Sequence, residues 1–272
     1  WCAFLKENRF DVGISIDGSE AVHDVNRRDL GGNPTCERTR QAVRLLKEAG
    51  IQPDLLCTVN AATLSEPEGV YRALEELDCG WVQFIPIVAR LPEGGFSPES
   101  VTPEGYGDFL CQIFDLWIHS GLGRMDIQLF AETARILAGG QASLCWMAPE
   151  CGRAVVVEED GRVYSCDHFV DPEHRLGRLD KEDLSSLLDS PAQLNFGRSK
   201  REALTAQCKN CPWYHFCGGG CPKDRFAPEG GPGHYYLCGG LQSLFAHAVP
   251  VLEQIMEMSR RGMGPEAIMK EI

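Results

Sequence analysis

Cys208-Lys-Asn-Cys211-Pro-Trp-Tyr-His-Phe-Cys217-Gly-Gly-Gly-Cys221, followed by Cys238, is the stretch that decides how the second half of this chain is built. Two residues between cysteines is the gap at which a tight turn aims both thiolates at one centre, and the glycines let the backbone fold around a bulky inorganic group. Cys145, Cys151 and Cys166 bring the cysteines between positions 145 and 238 to eight of the chain's thirteen. A disulfide framework calls for an oxidising compartment, a chain too small for a core and an even cysteine count. Here 272 residues carry an odd number of cysteines, and neither a secretory signal nor an apolar run of spanning length is read.

Spacing alone admits tetrahedral zinc and iron–sulfur clusters alike. Ligand number tilts the reading toward clusters, because eight cysteines without a histidine at zinc-finger spacing supply two all-thiolate centres. His168 and His215 lie nearby in sequence and read as hydrogen-bonded structural residues. Cys2, Cys36, Cys57, Cys79 and Cys111 read as small buried hydrophobes.

The formal net charge is −13, and Lys and Arg are nowhere gathered into a stripe. Nucleic acid is therefore not expected as a partner, since phosphate binding needs clustered cations. No membrane partner is expected either, and an acidic, cysteine-rich chain of this kind reads as cytoplasmic, in a reducing cell.

Upstream of the cysteines, strand and helix alternate. Val12–Ile16 reads as a strand entered almost at once; Asn33-Pro34 then opens a helix with Ala42, Val43, Leu45, Leu46 and Ala49 as its apolar stripe, ended by Gly50. Asp54–Val59 is a second strand of the kind parallel sheets bury on both faces. Ser65-Glu-Pro-Glu68 has capping-box form ahead of a helix carrying Val70, Tyr71, Leu74 and Leu77. Trp81–Val88 is a third strand, Thr102-Pro103 opens the next helix, and a shorter strand and helix follow around Ile127 and from Ala131 to Leu137. This βα spacing predicts parallel strands joined by crossovers, with too few units to close a barrel. Gly139-Gly140 marks a boundary. Beyond it, Glu158-Glu-Asp-Gly161 is a hairpin turn between two short strands, short helices lie near 184–188 and 191–203, and a final amphipathic helix carries Leu244, Val249, Leu252, Ile255 and Met256.

The order Cys145-x5-Cys151, hairpin, Cys166-Asp167-His168-Phe169, Leu176-Gly177, Cys208-x2-Cys211-x5-Cys217-x3-Cys221-Pro-Lys-Asp-Arg225 and Cys238 resembles the auxiliary-cluster domain, SPASM, of the anaerobic sulfatase-maturating enzymes of the radical S-adenosylmethionine (SAM) superfamily. Val12–Gly18, His23-Asp24, Arg27, Leu56–Val59 and Gln83-Phe84-Ile85 resemble the same family in matching order, so the resemblance covers essentially the whole chain. It implies an α/β fold: the C-terminal part of a (β/α)6 radical SAM barrel over residues 1–138, lacking its first strands, a SPASM domain over 139–240, and a C-terminal helix over 241–272 packed on the barrel.

The resemblance also implies two [4Fe–4S] clusters in a crossed pattern, one held by Cys145, Cys151, Cys166 and Cys221 and one by Cys208, Cys211, Cys217 and Cys238. It implies SAM contacts at Ser15, Arg27 and Val88 and a catalytic base at Asp167. Burial and a net-negative cluster beside Asp167 are expected to raise its pKa. The implied reaction converts the Cys or Ser of a sulfatase's Cys/Ser-x-Pro-x-Arg segment to Cα-formylglycine without oxygen. A 5′-deoxyadenosyl radical from SAM takes a hydrogen atom from Cβ, Asp167 accepts a proton, and an electron leaves through the auxiliary clusters. The implied partners are an unfolded or nascent sulfatase polypeptide and a flavodoxin- or ferredoxin-type electron carrier. The Cys-x3-Cys-x2-Cys loop that binds the family's SAM-cleaving third cluster does not occur in these residues. The expectation is that it precedes Trp1 and that the chain as it stands is inactive. The alternatives are another SPASM-type peptide maturase and a non-catalytic iron–sulfur electron-transfer module.

Overall fold

A computed structural model describes residues 1–226 and 233–272. It divides into two compact units, one of residues 1–137 with 239–272 and one of residues 138–238.

The first unit is built on a four-stranded parallel sheet in chain order: β1 (Gly13–Ser15), β2 (Asp54–Val59), β3 (Trp81–Pro86) and β4 (Asp126–Ile127). Ahead of β1 lies a short helix, α1 (Cys2–Glu7), where the sequence reading placed only the approach to a strand. Helices α2 (Glu20–Asn26) and α3 (Cys36–Glu48) connect β1 to β2, α4 (Ala61–Leu64) and α5 (Pro67–Glu75) connect β2 to β3, and α6 (Pro103–Ser120) precedes β4, which runs into α7 (Gln128–Leu137). Pairing Ile14 with Leu55, Leu55 with Val82 and Cys57 with Phe84 puts these side chains on one face. There Leu55, Cys57, Val59 and Val82 are fully buried. The other face, with Gly13, Ser15, Leu56, Thr58, Gln83 and Ile85, is exposed or half-buried. β2 is thus buried on one face, not two: its apolar run includes Leu56, but the helices cover only the alternate side.

Two predicted helix starts move. Pro34 lies outside α3, paired with Arg28, and Thr35 is the N-cap. The Thr35 hydroxyl is already committed to the Arg27 carbonyl at 2.7 Å, so the Asp24 carboxylate caps instead, accepting from the backbone N–H of Thr35 at 2.7 Å and of Cys36 at 3.0 Å. The capping box stands at Asn60 and Thr63 ahead of α4, not at Ser65, and Glu66 leads α5 without a side-chain cap. The Thr102 cap on α6 is as expected, its hydroxyl accepting from Gly105 N–H at 3.1 Å.

The C-terminal helix α12 (Cys238–Arg260) is followed by α13 (Pro265–Glu271), which the sequence reading did not separate. Within the first unit α12 crosses α6 at glycine: a Cβ on Gly107 would stand 2.7 Å from the Gly240 Cα, and one on Gly240 would run into the Pro103 carbonyl oxygen. His247 and Asp115 join the same two helices at 2.6 Å. No helix among the described residues is long and apolar enough to cross a membrane.

The second unit holds an antiparallel sheet, β5 (Val156–Val157), β6 (Arg162–Tyr164) and β7 (Arg175–Arg178), the last missed in the sequence. Helices α8 (Leu184–Leu188), α9 (Pro191–Glu202), α10 (Ala206–Lys209) and α11 (Tyr214–Cys217) follow. All thirteen cysteines are free; Cys36, Cys57 and Cys79 are buried, whereas Cys2 and Cys111 are only half-buried.

Gly240→Val should destabilise the first unit by roughly 1–3 kcal/mol, the range for forcing extra atoms into a packed contact. A fall in the urea midpoint of that unit's unfolding checks it.

Candidate iron–sulfur and SAM sites

The residues singled out in the first unit gather at the carboxyl ends of its parallel strands, where open α/β sheets bind ligands. Ser15 ends β1 and is exposed, and Val88 lies two residues past β3 and is half-buried. Arg27, just after α2, donates from Nε to Asp17 Oδ2 at 2.5 Å and from Nη2 to Asp17 Oδ1 at 3.1 Å and Thr58 Oγ1 at 3.2 Å. Asp17 is buried and also accepts from Thr58 N–H at 2.8 Å. The guanidinium is therefore held in a fixed fork, with its Nη1 edge available to a carboxylate. Asp17, which entered the sequence reading only within the Val12–Gly18 stretch, is the anchor of this group. An acid at a strand end, ten residues and one short helix before an arginine, was the available signal.

His23 is buried beneath this group. Its Nδ1 accepts from Asp17 N–H at 3.1 Å, and its Nε2 donates to Thr35 Oγ1 at 3.1 Å, that hydroxyl being itself the donor to Arg27 O. The arrangement fixes a neutral Nε2–H tautomer. Burial accordingly pushes the His23 pKa down, with Asp17 pulling the other way.

In the second unit the eight cysteines fall into electrostatic neighbourhoods. Cys145 acts on Cys151 and Cys221, and Cys221 acts on Cys166; Cys208 and Cys211 act on Cys217. Cys238 opens α12. Burial pushes the Cys166 thiol up to about 12 and raises Cys151, Cys217 and Cys221. Gly218, Gly219 and Gly220 all have positive φ, at 53°, 79° and 70°. A Cβ on Gly218 would strike the carbonyl oxygens of Met147 and Ala148, and one on Gly220 the Tyr235 ring. This is a backbone cradle only glycine can form, and from it Gly219 N–H donates to Cys217 Sγ at 3.4 Å. His234, which the sequence reading passed over, is buried with Nδ1 at 3.7 Å from Cys208 Sγ. His168 is exposed, and His215 packs its ring on Phe216 at 3.9 Å.

Two buried cations sit among the thiols. Lys200 is 1 % exposed, and burial drives its ammonium down to about 8 while Cys151, Cys145 and Cys221 pull upward. Arg225 donates to the carbonyls of Gly219 at 3.0 Å and Lys200 at 2.5 Å and feels Cys208, Cys151 and Cys221. Among the described residues no group of three or more His, Cys, Asp or Glu side chains stands close enough to hold a metal ion. Eight soft donors, a glycine cradle and buried positive charge fit thiolate-held iron–sulfur groups, whose anionic core the cations would balance.

Asp167 departs from expectation. It is exposed, and the Cys166 thiol donating to its Oδ1 at 3.2 Å holds its carboxyl below the usual range. Burial, the expected cause of a raised pKa, is too slight to outweigh that donor.

A parallel α/β unit with an arginine fork at its strand ends, followed by a thiol-rich unit, fits an iron–sulfur protein with an anion-binding site on its α/β unit. Residues 145–212 match the SPASM iron–sulfur cluster-binding domain. The chain is 38% identical over its whole length to the serine-type anaerobic sulfatase-maturating enzyme of Bacteroides thetaiotaomicron, covering 70% of that protein. It is 33% identical over 93% of its length to the cysteine-type enzyme of Clostridium perfringens, covering 69% of it. The solved structure of native anSMEcpe with bound AdoMet and Cp18Cys peptide superposes with a TM-score of 0.86 at 31% identity, over 94% of this chain and 72% of that one. The chain belongs to the anaerobic sulfatase-maturating enzyme family.

The neutral, buried state of His23 makes stability fall with acid. Its folded pKa lies below the unfolded value near 6.5, so below that pH the unfolded state binds the extra proton. Its contribution is complete above about pH 7 and is lost as pH falls through 6.5 toward the folded pKa. Urea midpoints between pH 7.5 and 5.5 should drop, with a shallower slope in His23→Gln.

Proposed function

We propose that this protein is an anaerobic sulfatase maturase that oxidises a Cys or Ser side chain of a sulfatase's Cys/Ser-x-Pro-x-Arg segment to Cα-formylglycine. The observation that carries the reading is the match over the full chain to a sulfatase-maturating enzyme. In this reading Cys145, Cys151, Cys166 and Cys221 hold one [4Fe–4S] cluster, Cys208, Cys211, Cys217 and Cys238 hold a second, and a third belongs to a Cys-x3-Cys-x2-Cys segment. The thiol neighbourhoods support the first grouping and three members of the second. Bound SAM supplies the hydrogen-abstracting radical, and the clusters supply a one-electron exit.

This chain's own residues bind, orient and move a proton. Arg27, braced by Asp17 and Thr58, would take the methionyl carboxylate on its free edge, with Ser15 and Val88 completing the contact. Asp167 would accept the proton of the target thiol or hydroxyl once a hydrogen atom has left Cβ. The sum of hydrogen atom, proton and one electron is a two-electron oxidation to thioaldehyde or aldehyde, and hydrolysis takes the thioaldehyde on to the aldehyde. Were Cys166 to bind iron as a thiolate, it would no longer donate to Asp167 and would instead place negative charge beside it, which would favour proton uptake there. An electron carrier of flavodoxin or ferredoxin type would complete the circuit, and a reducing cytoplasm suits the free thiols.

Anaerobically reconstituted chain should contain about eight irons with matching acid-labile sulfide, the sum of two [4Fe–4S] groups. One or two zincs and no sulfide would overturn the reading. With all three clusters and SAM supplied, Asp167→Asn should cut formylglycine formation in a sulfatase peptide by about 10²–10⁴, the usual worth of a positioned proton acceptor. Release of 5′-deoxyadenosine should persist in that variant; undiminished formylglycine would remove Asp167 from the role.

A further inference from the structure

Helix α9 contains no cysteine, yet one face of it touches every segment assigned to the first cluster. Its buried residues are Gln193, Gly197 and Lys200, spaced four and three apart and so aligned along the helix. Gln193 Nε2 donates to Gly152 O at 3.4 Å and to Ser165 O at 3.2 Å, holding the chain just after Cys151 and just before Cys166. Gly197 O accepts from Cys151 N–H at 3.1 Å, and a Cβ there would stand 2.9 Å from Cys151 O. Lys200 Nζ donates to Cys145 O at 2.7 Å, to Trp146 O at 3.0 Å and to Ala148 O. Arg225, four residues past Cys221, returns to Lys200 O at 2.5 Å.

The ammonium thus spends all three of its protons on neutral carbonyls. The ionisable side chains that act on it are the protonated thiols of Cys151, Cys145 and Cys221 and the like-charged Arg225. A buried cation with no anionic partner is costly, and thiolates on a metal centre would remove that cost. A cation fixed beside an iron–sulfur core also favours its reduced, more negative state.

We infer that α9 is the template of the first cluster, its Gln193–Gly197–Lys200 face holding the four ligand segments and its Lys200 ammonium serving as a buried counter-charge that raises that cluster's reduction potential. This rests on the ligand sets proposed above. Lys200 is a positioning residue, acting through the cluster and not on substrate.

The test is a redox titration followed by electron paramagnetic resonance, with iron counted, on reconstituted wild type, Lys200→Met, Lys200→Arg and Gln193→Leu. Lys200→Met should make one cluster at least tenfold harder to reduce, a fall of about 59 mV for a one-electron couple, and move the other less. Lys200→Arg should restore most of the shift, and Gln193→Leu, which cuts the same staple without touching charge, should leave both potentials in place. If Lys200→Met instead sheds iron, recovery in Lys200→Arg supports the counter-charge, and equal loss in both reduces Lys200 to packing and overturns it. Unmoved potentials in an iron-replete Lys200→Met, or equal shifts in the Met and Arg variants, overturn it as well. A wild-type chain that takes up zinc without sulfide sinks the cluster reading and this inference together.

Discussion

Burying positive charge among thiols is the constraint around which the second unit is arranged. Lys200 and Arg225 are taken out of water and compensated almost wholly by backbone carbonyls. Apart from that of Lys200 on α9, those carbonyls belong to the segments that carry the cysteines, so the price of desolvating the cations is met by fixing the very segments that must converge. The arrangement is poorly balanced as bare protein, with thiols pushed up and an ammonium pushed down. It would become balanced if the thiols lost their protons on binding metal, which would tie cluster assembly to the stability of the unit.

The first unit uses the same device at smaller scale. Asp17 is buried at the end of β1 and holds Arg27 in a fork, while His23 stays neutral beneath it. Each group is held by a neighbour from another element: Thr58 from β2, Thr35 ahead of α3. An arginine positioned this way loses little freedom when it meets a carboxylate, which is how a weakly distinctive residue becomes a useful one.

Where local patterning governs, the sequence was readable. The strands at 13–15, 54–59 and 81–86, the helix opened by Thr102-Pro103 and the short helices at 184–188 and 191–202 follow from periodicity and turn residues. The readings that moved did so because side chains were already engaged: the Thr35 hydroxyl serves Arg27, so Asp24 caps α3 from eleven residues away. β2 reads as buried on both faces because Leu56 is apolar, and only the packing shows that helices cover the alternate side. Asp167 was expected to be buried and is exposed, since sequence adjacency to Cys166 says nothing about solvent.

By itself the sequence determined the α/β order, the thiol-rich second half and the family to which the chain belongs, because spacing, periodicity and motif order are local or one-dimensional properties. Only the tertiary structure decided that α9 is the element tying Cys145, Cys151, Cys166 and Cys221 together, that His234 is the histidine beside Cys208, and that Asp17 braces Arg27. Those assignments depend on burial and on Coulomb contacts between residues up to 55 positions apart, as between Cys145 and Lys200. Such terms come into being when the chain folds.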